Sequence, residues 1–312
     1  LTNTNEEALR ITGLLIKNGR NAKLIQSNDS FRLYDLVEIR VFLNLIKKDL
    51  TSPIVSDIQW KNAKSTLFEK YSSSTCLDNI RRMLSDFEST HPQKYISDFE
   101  EFVFESNYDD FYEGPNSETI YVSTIHKSKG REFDSVYIML KNSYCKDDAE
   151  RRKIYVALSR AKSNLFIHCN TDLFFDFHVP GVKHYKDNNY YPFPTEIVIQ
   201  TTHRDVVLSF FKYSRSNVFG LKSGDPLCVD DVYLTAKVGG VQVRVAKFSQ
   251  AFTGRLNSLK EKGFVPVSAE VHFIVAWKEE ITEIKEKDKE KEEEVPVILA
   301  NIKLIKENPA TN

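Results

Sequence analysis

The sequence lacks a surplus of either charge. Forty-three basic and forty-four acidic residues leave a formal charge of −1, which excludes wholesale attraction to nucleic acid or membrane and confines any such contact to local patches. It also lacks paired cysteines. Cys76, Cys145, Cys169 and Cys228 stand far apart without a C-x-x-C pair, which argues against a disulfide framework or zinc site and for a reducing compartment, the cytoplasm by default. His178, His184 and His272 show no metal-ligand spacing either, so no metal site is expected. No apolar run is long enough to span a bilayer and no charged-then-apolar leader precedes the first helix, so neither export nor insertion is expected. There is no internal repeat. The chain begins at Leu1, which reads as a fragment or a processed product.

What is present is 312 residues with 41% apolar content, enough for two or three globular units. Three textures follow one another. "EEALRITGLLIKNG" puts Leu9, Thr12 or Gly13, and Ile16 on one face of a helix closed by Gly19. From Phe31 to about Gly114 apolar and aromatic residues recur at three- and four-residue steps, a helical insertion spanning 31–114. Ile120 to Cys169 then alternates strand, turn, strand, helix, strand, so the fold class is α/β with a parallel sheet, formed by 1–30 and 115–178.

After Pro180 a β-rich domain follows, over about 192–307. Its strand-like runs are separated by Gly239-Gly240 and by a short helix, "FSQAFTGRLNSLKEKG". Ala269, Val271, Phe273, Val275 and Trp277 alternate on one face, as do Val241, Val243 and Val245, which suggests a small barrel. Lys247, Phe248, Phe252 and Arg255 could contact a DNA strand there, although packing is the commoner use of two phenylalanines. A protein-docking role fits equally. The wholly charged run Lys285–Glu294 can bury nothing and reads as a mobile loop between two strands.

Two segments carry chemistry. In "VSTIHKSKGREFDSVYI" a compact turn links two buried strands, where ligand sites of open parallel sheets lie. Gly130 lets the backbone approach a ligand, Lys127 and Lys129 supply positive charge, and Glu132 can accept from a sugar hydroxyl. A nucleotide is the matching ligand class, and a solvated basic turn with a glycine for its φ angle is the plain alternative. In "DDAERRKIYVALSRAKSNLFIHC", Asp147 and Glu150 form an N-cap arrangement. Ile154, Ala157, Leu158 and Ala161 make the buried stripe, with Arg160 and Lys162 near the helix C-terminus. A planar guanidinium held there suits a phosphate whose charge redistributes during transfer, which makes Arg160 the catalytic candidate. The alternative is an arginine that caps the helix or pairs with a carboxylate.

"TIHKSKGREFDSVYI" and "RRKIYVALSRAK" together resemble motifs V and VI of superfamily 1 DNA helicases of the UvrD, PcrA and Rep type, T-x-H-x-x-K-G-x-E-F/W followed by Y-V-A-x-[ST]-R-A. "LTNTNEEALRITGLLIKNG" resembles that family's entry to the second RecA-like domain, and "LYDLVEIRVFL" the helix opening its inserted subdomain, here a reduced 2B-like insertion. The resemblance covers about Leu1 to Asn170.

The resemblance implies that Gly130 and Glu132 face ATP, that Arg160 approaches the γ-phosphate, and that Thr124 and His126 face single-stranded DNA. Lys129 would couple the two sites, with Tyr155 and Arg152 supporting the helix. Arg131 departs from the family's usual leucine, and Ser159 from threonine. The larger departure is that no G-x-x-x-x-G-K-[ST] occurs and no apolar strand ends in Asp-Glu, so the phosphate cradle and the Mg2+ carboxylates are missing. The family's motif IV arginine would lie before Leu1.

The expectation is therefore the C-terminal part of an ATP-dependent DNA helicase, inactive alone and partnered by an N-terminal RecA-like domain. The alternative is a non-catalytic DNA- or protein-binding module that keeps the fold. A nuclease-helicase is the third reading, without any clustered acidic motif to support it.

Overall fold

A computed structural model describes residues 1–25, 32–48, 52–106, 119–176, 179–189, 194–278 and 294–307. The chain divides into two compact units, one of residues 1–27 and 118–198, the other of 28–117 and 199–312.

The first unit is built on parallel strands. β1 (Ala22–Leu24) pairs with β2 (Ile120–Val122), and β3 (Phe133–Leu140) with β4 (Ala161–Cys169), both in parallel. Leu1 and Thr2 join the two pairs, because Thr2 forms parallel bridges to Thr124 and to Met139. Thr2 N donates to Ser123 O at 2.9 Å and Met139 N to Leu1 O at 2.8 Å. The strand direction thus continues across the unit, and parallel strands require helical crossovers.

α1 (Asn5–Lys17) starts with a capping box in which Thr4 and Glu7 satisfy each other's backbone N–H groups. It buries Ala8, Leu9, Thr12 and Gly13, whereas Ile16, expected on the same stripe, stays exposed. α6 (Asp148–Leu158) packs Ile154 and Ala157 on Val136, Ile138, Leu140 and Ile125. Asp147 caps it as the spacing implies, accepting from Glu150 N at 2.8 Å. The helix ends at Leu158, so Arg160 lies in the turn beyond it, and Ala161 and Lys162 already belong to β4.

The second unit holds the helical segment and most of the β-rich region. Between α1 and α6 in the chain lie α2 (Val37–Lys47), α3 (Asp57–Lys70), α4 (Leu77–Thr90) and α5 (Ile96–Glu105). They meet at an aromatic cluster in which Phe42, Trp60, Phe87 and Phe99 lie with ring centroids 4.9 to 5.6 Å apart. Edge-to-face pairs dominate, the arrangement that ring quadrupoles favour.

The β-rich part comprises β5 (Glu196–Gln200), α7 (Phe211–Val218), β6 (Pro226–Asp230), β7 (Tyr233–Val238), β8 (Val241–Lys247), α8 (Gln250–Glu261), β9 (Phe264–Trp277) and β10 (Val295–Lys306). They form a six-stranded sheet in the order β5-β10-β9-β6-β7-β8, with β5 at the unit boundary. The sheet curls, since Val206, just after β5, bridges Phe248, just after β8. Gly239 and Gly240 both take positive φ in the β7–β8 turn, which suits the tight hairpin read from the sequence.

The described parts of the helical segment and of the β-rich region from Ile199 onward lie in this one unit and touch each other. Leu36 bridges Val275, Thr75 N donates to Ser223 O at 3.0 Å, and Cys76 Sγ lies 3.8 Å from His272 O. This explains a departure from simple alternation in β9. Ile274 is buried together with Phe273 and Val275, because helices cover the face that alternation alone would leave to water. β8 departs too. Val245 is buried, but Val241 at the hairpin tip is exposed. The charged run Lys285–Glu294 lies outside the described residues except for Glu294, which pairs with Arg40 and Lys278.

Candidate functional site

Two chain segments of the first unit converge on one turn. After β2 the chain enters a short 3-10 helix, Ile125–Ser128, closed by Ser128 Oγ donating to Ile125 O at 2.8 Å. Ile125 and Ser128 are buried, which pins the turn to the core while His126, Lys129, Gly130 and Glu132 stand exposed. Gly130 has φ +82, and a Cβ built there would meet nothing within 4 Å. Its glycine is therefore required by backbone conformation, not by close approach of another protein atom. Lys127, expected to add charge, reaches back to α1, its Nζ 3.2 Å from Asn5 Oδ1.

The second segment arrives through Arg160. Its Nε donates to Val156 O at 2.9 Å, Nη1 to Arg131 O at 3.0 Å and Nη2 to Ser159 Oγ at 3.0 Å. Its own carbonyl accepts from Phe133 N at 2.9 Å. The guanidinium thus ties the end of α6 to the turn that carries Gly130 and Glu132. Each terminal nitrogen keeps one N–H unspent, so the group caps and still has donors to offer.

The other expected residues divide by exposure. His126, Lys129 and Glu132 are open to solvent, as a ligand-facing role requires. Thr124, expected to face a DNA strand, is 7% exposed, with its backbone held in the bridge to Thr2. Tyr155 and Arg152 project from α6 into solvent. In the β-rich part Phe248 and Phe252 are core residues, 2% and 1% exposed, which removes them as stacking surfaces. His178 lies outside the described residues. His272 sits within 3.4 Å of Gln200 and Asn301 side chains.

Residues 47–172 match the family model for the UvrD-like helicase C-terminal domain. This segment is therefore similar to the C-terminal domain of UvrD-like helicases. The matched stretch contains the whole turn from Thr124 to Glu132, all of α6, Arg160 and β4. No curated protein matches the chain. The UvrD-like segment begins inside the helical part and stops at Asp172, so the curled antiparallel sheet lies outside it.

Sequence reasoning missed the structural use of Arg160. It foresaw a capping alternative, but the bond to Arg131 O joins residues 29 positions apart and has no local signal.

Proposed function

We propose that the first unit is the second RecA-like domain of an ATP-driven DNA translocase and supplies half of its nucleotide site. The observation that carries this reading is the Arg160 guanidinium, bonded to the backbone of the turn bearing Gly130 and Glu132. A cation and a carboxylate with unspent hydrogen-bonding capacity are thereby held at one locus, suited to the γ-phosphate and the ribose respectively.

Gly130 shapes the turn, Glu132 accepts from the sugar, and Arg160 stabilises charge on the leaving phosphoryl group. His126 and Lys129 face single-stranded DNA and report its presence to the nucleotide. Thr124 acts through the turn's backbone rather than by direct contact. ATP and Mg2+ are the implied cofactors. The phosphate cradle and metal carboxylates come from an N-terminal RecA-like domain, since this sequence holds neither pattern.

The reading is tested by ATP turnover against single-strand concentration. The chain alone should show background hydrolysis only. Combined with a domain that carries the phosphate-binding loop, it should turn over ATP in a DNA-stimulated manner. His126→Ala should keep basal hydrolysis and lose stimulation. Robust turnover by the chain alone, or loss of basal hydrolysis in His126→Ala, would contradict the assignment.

A further inference from the structure

The β7–β8 hairpin carries an exposed face of different character from the motif turn. Tyr233 pairs with Lys247, Thr235 with Arg244 and Lys237 with Gln242, so these six side chains share one face. The opposite face holds Leu234, Ala236 and Ala246, all buried, with α7 packed beneath, where Ser214 Oγ donates to Val245 O at 3.2 Å. Lys237 and Arg244 are exposed and Lys247 is half-buried. The Arg244 guanidinium lies 4.1 Å from the Tyr233 ring centroid, and Lys247 Nζ lies 5.8 Å from it.

None of the three cations has an ion pair or a hydrogen bond from its side chain among the described residues. Carboxylates share the face as well: Asp230 on β6 lies opposite Tyr233, and Glu270 on β9 lies opposite Pro226. β8 is the last strand of its sheet, and its edge is met at the Lys247 end, where Val207 N donates to Lys247 O at 2.8 Å.

Cations that gather around a tyrosine without carboxylate partners leave their charge for an outside anion. A guanidinium stacked on a ring keeps its in-plane N–H groups free, and those groups match a phosphate. Successive cross-strand pairs step by about 7 Å along the strands. An extended sugar-phosphate chain spans such a step between neighbouring phosphates.

We propose that this face binds the backbone of single-stranded nucleic acid, with Lys237, Arg244 and Lys247 at phosphates and Tyr233 beside a base. The mixture of a ring with three cations favours a polynucleotide over an acidic peptide, because only the former offers both bases and evenly spaced phosphates. The site lies outside the UvrD-like segment and does not depend on the nucleotide reading.

The test is fluorescence anisotropy of a labelled oligothymidylate titrated with the full 312-residue chain over a series of salt concentrations. The double variant Arg244→Ala/Lys247→Ala should bind more weakly at every salt concentration. Its log Kd against log salt should flatten by about 1.4, two phosphate contacts at about 0.7 each on a single strand. Tyr233→Leu should lower the preference for oligothymidylate over a duplex of equal length. Far-UV dichroism and thermal melting report folding, and if the double variant unfolds, the exposed Lys237→Glu decides the matter by the same weakening. Unchanged affinity and salt slope in the folded variants would overturn the proposal. So would failure of the parent to bind oligothymidylate at low salt, or equal displacement by polyglutamate.

Discussion

Replacing Glu38 by glutamine is expected to stabilise the second unit at neutral pH, and to do so less as pH falls. The Glu38 carboxyl is 1% exposed where the helices meet the β-rich part. Oε1 accepts from Ser74 Oγ at 2.9 Å, but Oε2 has no hydrogen-bond partner among the described residues. Ser223 Oγ is also left without one. Burial raises the carboxyl's pKa above the usual range, against the weaker opposing pull of its own backbone N–H and of the Ser74 hydroxyl. The same burial, together with the Glu38 charge, raises the Tyr71 phenol.

The sign follows from proton counting. A raised carboxyl pKa means that the folded state holds its proton more tightly than the unfolded chain, whose value is about 4.3 for glutamate. Stability from this group is therefore greatest below the unfolded pKa and falls as pH rises through the folded pKa. Glutamine carries no charge to desolvate, and its amide can donate toward Ser223.

The gain at neutral pH should be about 1–3 kcal/mol, the usual cost of a buried polar atom left unsatisfied, and should shrink toward zero below about pH 4. Urea unfolding of the parent and Glu38→Gln across that range measures the difference, which cancels titrations the two proteins share. A variant less stable than the parent at neutral pH, or a difference independent of pH, would refute the argument.

Other outcomes follow from the same packing. Gly224 has φ +94, and a Cβ there would stand 2.5 Å from Thr75 Cγ2, so Gly224→Ala should cost about 1–3 kcal/mol in a denaturant melt. Thr75→Ser in that background should recover only the steric part, since the φ strain persists. The segment 192–307 expressed without the helices should give poorly dispersed amide resonances, because it bares Ile274, Val275 and their neighbours. A well-dispersed spectrum would show that the β-rich region folds unaided.

Local structure was largely legible. The Asp147–Glu150 cap, the Gly239-Gly240 hairpin and the strand over residues 269–277 follow from short-range chemistry that acts within a few residues. So does the conformational need for glycine at position 130.

What escaped was set by distant partners. Cys76 meets His272 across 196 positions, and no periodicity in either segment announces that helices cover both. Phe248 and Phe252 looked available beside Lys247 and Arg255, yet packing took both rings. Tyr233, which carries the stacked guanidinium, passed unnoticed because its cation comes from the neighbouring strand. At the candidate site the motif residues were identifiable from their spacing, but the exposure of His126 and burial of Thr124 depend on how the turn is pinned by Ile125 and Ser128.

The central claim rests on Arg160, whose guanidinium has two roles that one experiment separates. As a tie between α6 and the turn, its loss should cost about 1–3 kcal/mol of stability through the hydrogen bonds to Val156, Arg131 and Ser159. As a γ-phosphate contact, its loss should lower kcat by about a thousandfold, or about 4 kcal/mol of transition-state stabilisation. The measurement is kcat for ATP, saturated with single-stranded DNA, in an enzyme containing both RecA-like halves, for parent, Arg160→Ala and Arg160→Lys, each well below its melting temperature. The account predicts folded variants with kcat reduced by about a thousandfold in alanine and little recovered by lysine, with single-strand affinity nearly unchanged. A folded Arg160→Ala that turns over ATP at the parental rate would contradict it and leave Arg160 as a helix cap.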